Sequence, residues 1–278
     1  MNGLAFGGLV FLLAAGLSII FGLMDVLNLA HGSFYMVGAY IAYTVVTITG
    51  SFWLALVVAP LALAGIGIVM ELVFFRRLYR RGHLMQVLLT FGFTLVFVDL
   101  IRARYGPTTR SIPIPPGLGG AVHVLGATFA TYSLFLLGVA ILVGCALIAV
   151  SRLTRIGAVL RAGVADKEMV GLLGINLPLV FTLTFGFGAG LAGLAGVVAA
   201  PELAIFPGMD GSVLILALVV VVLGGLGSIE GALIGAALIG LTNSFGVSLF
   251  PQFAIAVVFA VMALVLIVRP SGLFGRRT

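Results

Sequence analysis

The sequence predicts an all-α fold, a polytopic transmembrane helical bundle of about eight to nine spans, and three observations carry that prediction. Of 278 residues, 62% are hydrophobic and 8% are charged, against roughly 25% charged residues in an average soluble domain. A water-soluble fold of this size has too little charge to cover its core. The charges also cluster: no Asp, Glu, Lys or Arg lies between Asp25 and Glu71, between Arg110 and Arg152, or between Glu230 and Arg269. Each gap exceeds the roughly 20 apolar residues that cross a bilayer as a helix. Finally, the apolar runs lack the dyad alternation of barrel strands, which leaves helices as the structure that satisfies its own backbone in lipid.

Reading apolar runs against chain breakers places spans near residues 3–23, 33–50, 53–75, 84–101, 132–150, 177–199, 212–226, 231–249 and 253–268. The first has no positive residue before it, the first Arg being Arg76, and it outruns a signal peptide's apolar core, so it reads as a retained span. Neither terminus carries a lipidation motif. The third span ends at the basic Arg76-Arg77-Leu78-Tyr79-Arg80-Arg81 loop, and the fourth runs into a stretch with Pro107, Pro113, Pro115 and Pro116. The fifth contains the single Cys145, which can form no intrachain disulfide. In the sixth, Gly186, Gly190, Gly193 and Gly196 give a small face for close helix packing, as do Gly231 and Gly235 later. Short Gly-rich segments that re-enter rather than cross make the difference between eight and nine crossings. The whole chain, 1–278, reads as one transmembrane domain with a polar loop at 152–176.

The net charge of +6 does not indicate nucleic acid, because the basic residues sit in short loops rather than in one stripe. They are topology signals. The basic loops at 76–81 and 152–176, with Arg269, Arg276 and Arg277, fall on one side of a nine-span chain, which marks that side and the C-terminus as cytoplasmic. Arg102, Arg104 and Arg110 run against this assignment.

Two polar, Gly-bearing interruptions face each other across the halves of the chain, from Phe21 to Gly32 and from Leu223 to Gly231. Paired interruptions of this kind point to a solute site between inverted repeats; two ordinary loops are the equally weighted alternative. Asn28, His31, Gly32 and Tyr35 at the first, and Gly225, Gly227, Ser228 and Glu230 at the second, are the candidate solute-path residues. For His31, Asn28, Ser228 and Glu230, capping of nearby backbone competes with cavity lining.

The loop from Arg155 to Asn176 is too polar to span. Within it, Ala165, Met169, Leu172 and Leu173 recur at helical spacing on one face, Asp166 and Glu168 suit a first turn, and Gly174 with Pro178 supplies a stop. The expected short amphipathic helix fits either a groove in a soluble partner or the membrane surface. Composition slightly favours the surface.

Carboxylates at membrane depth are costly, by about 2.5–3.5 kcal/mol on insertion scales. Glu71, five residues before Arg76, is expected to be solvated or paired with an Arg, and Asp99 to pair with Arg102 at i, i+3.

Four stretches resemble the permeases of branched-chain amino acid ABC importers: Asn2-Gly3-Leu4 through Gly22 and on from Leu27-Asn28-Leu29-Ala30-His31-Gly32 to Tyr40; Arg161-Ala162 with Asp166-Lys167 and Leu172-Leu173-Gly174-Ile175-Asn176; Gly224-Gly225-Leu226-Gly227-Ser228 with Gly231-Ala232; and Arg269-Pro270-Ser271-Gly272-Leu273-Phe274-Gly275. The Asn-Leu-Ala-His-Gly run and the short N-terminus resemble the first of the two permeases such systems pair. The resemblance implies a bacterial inner-membrane protein, a second homologous permease, cytoplasmic ATPase subunits and a soluble binding protein outside. It also moves the amphipathic loop to the docking reading, with Arg155, Arg161, Ala165, Asp166, Lys167, Glu168, Met169, Leu172, Leu173 and Gly174 as the ATPase-docking residues.

The chain agrees on one point. A Walker A loop needs a Lys after a Gly-rich turn, yet the only Lys is Lys167, preceded by Ala165-Asp166, so ATP hydrolysis must come from a partner. No His-x-x-x-His, Cys cluster or Gly-x-Ser-x-Gly marks an enzyme, and no cofactor or metal is expected. The rival reading is an ATPase-independent channel or secondary transporter using Glu71, Asp99 or Glu230. The solute is expected to be a branched-chain or other amino acid, or a related small polar molecule such as urea.

Overall fold

Each apolar run folds as a helix because lipid offers no partner for a free amide, so the segment must close its own hydrogen bonds. The computed structural model describes residues 2–79, 81–124 and 127–275; Arg80, Arg276 and Arg277, three of the topology signals, lie outside the described residues. The elements are α1 (Asn2–Met24), α2 (His31–Thr49), α3 (Phe52–Met70), a π-helical turn (Glu71–Phe75), the short α4 (Arg76–Leu78), and α5 (His83–Tyr105). An antiparallel hairpin, β1 (Ala121–Val124) and β2 (Ala127–Ala130), precedes α6 (Thr131–Leu153). After α7 (Arg155–Ala165) and α8 (Lys167–Leu172) come α9 (Leu177–Ala199), α10 (Met209–Gly224), α11 (Ile229–Leu249) and α12 (Ala254–Val268).

Among the described residues, eight helices are long and apolar enough to cross a membrane, α12 counting together with the 3-10 turn Pro251–Phe253 that leads into it as a span of 18 residues. The ninth apolar helix, α10, has 16 residues, about 24 Å at 1.5 Å per residue, short of a hydrocarbon core of about 30 Å.

The core is built around α1, whose residues from Leu9 to Ala15 are buried throughout. It packs against α6, α9, α10 and α11, while α2 and α3 close on α9. Glycine makes the closest of these approaches: Gly196 of α9 lies against the backbone of Tyr35 and Ala39 in α2, where a Cβ has no room. This is the small-residue packing that lets helices associate without a hydrophobic driving force between them. By contrast α5 and α12 keep most of their surface outward.

Hydrogen bonds and close packing sort the connections into two ends. At one, Arg110 and Ile205 exchange backbone hydrogen bonds of 2.7 and 2.9 Å, joining the segment after α5 to the segment after α9. At the other, the His83 ring meets the Asp25 carboxylate at 3.6 Å, and the tail after α12 donates from Leu273 and Phe274 to the carbonyls of Leu223 and Gly224. Most of the described basic residues, including Arg76, Arg77, Arg81, Arg152, Arg155, Arg161 and Arg269, lie on helix ends, short helices and turns at this second end.

Candidate functional site

The polar loop between α6 and α9 folds as two helices, not one. Thr154 caps α7 by accepting from the Gly157 amide at 3.1 Å, and Asp166 caps α8 by accepting from Met169 at 2.9 Å. An extended Asp166 separates them, so Ala165 closes α7 and does not share a helical face with Met169, Leu172 and Leu173. The expected four-residue face is corrected to three: a short polar side chain that accepts from the backbone starts a new helix rather than continuing the old one. Within α8 only Val170 is buried. Met169, Leu172 and Leu173 are 55%, 83% and 72% exposed. Gly174 ends the segment with φ +80, the left-handed conformation that glycine adopts without strain, and Asn176 caps α9 by accepting from Leu179.

Beneath α7 lies a cavity of about 1770 Å³. Arg155, Arg161 and Ala165 line it, and so do Gly227, Ser228 and Glu230, so three of the eight candidate solute-path residues meet the docking loop there. The remaining docking residues, Asp166, Lys167, Glu168, Met169, Leu172, Leu173 and Gly174, lie off the cavity. Glu230 is paired with Arg152 at 3.1 Å. Ser228 caps α11 by accepting from the Gly231 amide at 2.9 Å.

The two interruptions touch. A Cβ on Gly22 would stand 2.6 Å from Gly227 Cα, and the Ser18 hydroxyl reaches the Ser228 carbonyl at 3.5 Å. Gly225, at φ +100, turns the chain against Gly275 of the tail. Three stretches that are far apart in sequence thus converge at one end of the bundle.

Asn28, His31, Gly32 and Tyr35 are not at the cavity; all four are buried inside the bundle. The His31 imidazole meets the Leu13 carbonyl of α1 at 3.0 Å through Nε2, which is backbone pairing across helices. Both amide atoms of Asn28 are buried without a partner among the described residues. Gly32 packs on the Asp210 backbone.

Two buried carboxylates escaped the sequence reading. Glu71 is fully buried, not solvated or paired with an Arg: Thr182 of α9 donates to it at 2.5 Å and Tyr79 at 2.7 Å. The π-helical turn that begins at Glu71 explains the error, since it inserts an extra residue per turn and shifts the register on which a face is counted. Burial, reinforced by the adjacent Glu71 carboxyl, holds the Tyr79 phenol well above its ordinary range, so it remains a donor. Asp210, in the first turn of α10, accepts from the buried Ser33 hydroxyl at 2.8 Å. Only the general cost of a carboxylate at membrane depth signalled either residue. The Asp99–Arg102 pair, at 3.9 Å and exposed, is as expected.

The family described as branched-chain amino acid transport system permease component matches residues 1–268. Over 290 residues the chain is 30% identical to the high-affinity branched-chain amino acid transport system permease protein BraD of Pseudomonas aeruginosa, covering 99% of this chain and 94% of that protein. It is 29% identical over 301 residues to the corresponding protein LivH of Escherichia coli K12, with 99% and 94% covered. A probable LivH of Methanocaldococcus jannaschii is 26% identical, with 99% and 91% covered. No solved structure matches the chain significantly.

Proposed function

The chain belongs to the family of branched-chain amino acid transport permease components, and from that premise we propose that it is the membrane-spanning permease subunit of an ATP-driven importer for branched-chain or other amino acids. The observation that carries this reading beyond family membership is the apolar triplet Met169, Leu172 and Leu173, held outward on a capped helix at the basic end of the bundle. An exposed apolar helix face of this kind fits a groove on a partner. The positive-inside rule makes that end, and the C-terminus with it, cytoplasmic, so the partner is an ATPase. The plasma membrane is the location, a second homologous permease completes the path, and a binding protein delivers solute from outside.

Under this reading residues 1–278 act as one permease domain. The docking loop moves against the second interruption through the cavity they share, where Gly227 and Ser228 lie under α7. Asn28, His31, Gly32 and Tyr35 support that region from within the bundle.

The test is uptake of labelled leucine into liposomes carrying the chain, its second permease and the ATPase, with binding protein outside and ATP on the ATPase side. The reading predicts uptake that needs both ATP and binding protein. Equal uptake without ATP would return the channel or secondary transporter.

A further inference from the structure

The cavity under α7 is a wedge. Toward the far end of the bundle α3 and α6 are stitched together: Phe52 and Trp53 meet Phe135 edge-on at 6.3 and 5.7 Å between ring centroids. Tyr132 there also donates to the Val198 carbonyl at 2.7 Å. Toward the basic end the helices part, and the cavity opens between Ala64 and Ile68 of α3, Leu183 and Phe187 of α9, and Ala146 and Val150 of α6. Leu183, Phe187 and Val150 are 58%, 50% and 42% exposed, so the wedge is open to its surroundings.

Apolar walls at membrane depth call for an apolar occupant, since water there gives up its hydrogen bonds. At about 1770 Å³ the space also exceeds the roughly 300–1000 Å³ of ordinary small-molecule sites, so an amino acid leaves most of it empty. The mouth, however, is cationic. Arg152 is engaged by Glu230, whereas Arg155 and Arg161 line the same cavity with no acidic partner among the described residues.

We propose that this wedge binds an anionic phospholipid, with acyl chains between α6 and the α3–α9 pair and its phosphate on Arg155 and Arg161. Guanidinium groups match phosphate oxygens with paired N–H donors, and basic pockets between transmembrane helices on the cytoplasmic side are the recurring geometry for such headgroups. The lipid ties α7, and through the Asp166 cap α8, to the membrane surface. The site goes beyond the transport reading and rests on it for the cytoplasmic orientation of the basic end.

The experiment is native mass spectrometry of the purified permease complex after exposure to phosphatidylglycerol or phosphatidylcholine vesicles. Wild type should retain phosphatidylglycerol preferentially, and Arg155→Gln with Arg161→Gln should reduce that preference about thirtyfold, at roughly a kilocalorie per basic residue. Ala146→Trp, which fills the wedge from an exposed position with the arginines intact, should abolish retention; Val150→Trp repeats the test on the same wall if Ala146→Trp fails to fold. Equal retention of the two lipids overturns the proposal. So does retention unchanged by wedge filling but displaced by inorganic phosphate, which would make the site an ion site. A lipid-free wild type whose second permease dissociates in the Trp variants would make the wedge a protein seam and also overturn it.

Discussion

Replacing Glu71 by Ala tests the clearest departure from the sequence reading. Its carboxyl accepts from Thr182 at 2.5 Å and from Tyr79 at 2.7 Å. On truncation Thr182 keeps the Pro178 carbonyl at 2.9 Å, so its loss is small. Tyr79 keeps nothing, and an orphaned buried donor costs about 1–3 kcal/mol, toward the low end here because Tyr79 is half-buried. The vacated carboxylate volume between α3 and α9 adds a cavity cost of about 1–2 kcal/mol. The total of about 2–4 kcal/mol corresponds to a fall in Tm of roughly 5–10 °C for a chain of this size. Thermal unfolding of the detergent-purified protein reads it at one fixed scan rate. Tyr79→Phe alone should cost about 1 kcal/mol, and the double variant should lose about 1 kcal/mol less than the sum, because the orphaned hydroxyl is gone. An unchanged Tm for Glu71→Ala, or strict additivity, would refute the buried tie and restore a solvated Glu71.

Gly22→Val puts its Cβ 2.6 Å from Gly227 Cα, where backbone cannot give way, so the folded yield on gel filtration should collapse, while Gly92→Ala, with nothing within 4 Å, should leave it unchanged. Ser33→Ala strips Asp210 of its buried donor and should lower Tm by an amount equivalent to about 1–3 kcal/mol; no shift would show that the pair contributes nothing. Asp166→Ala removes the α8 cap, worth about 1 kcal/mol, and should weaken ATPase binding roughly fivefold with the Tm of the bundle unmoved; unaltered affinity would detach the cap from docking.

The helical fold was legible because lipid leaves the backbone one option, and apolar runs bounded by charge then fix the spans. The run near 212–226 became Met209–Gly224, an ordinary shift of a few residues at a Gly-rich boundary. The hairpin at 121–130 was not foreseen, since its four-residue strands follow a Pro- and Gly-rich stretch that reads as loop. At the site, Met169, Leu172 and Leu173 were legible from helical spacing, whereas the break at Asp166 was hidden because an Asp reads alike as first-turn residue and as cap. Glu71 was illegible for a different reason: its partners lie 8 and 111 positions away, and the π-helical turn breaks the periodicity from which its face would be read. The meeting of Gly22 with Gly227 depends on tertiary packing that no local pattern encodes.

The most direct test of the importer account is co-purification of the tagged chain from its native membranes in mild detergent, beside a Leu172→Asp, Leu173→Asp variant. The account predicts that wild type brings down a nucleotide-binding ATPase and a second permease, and that the variant keeps the permease but loses the ATPase. A variant that retains the ATPase in full, or a wild type that purifies alone and still moves leucine without ATP, would contradict it.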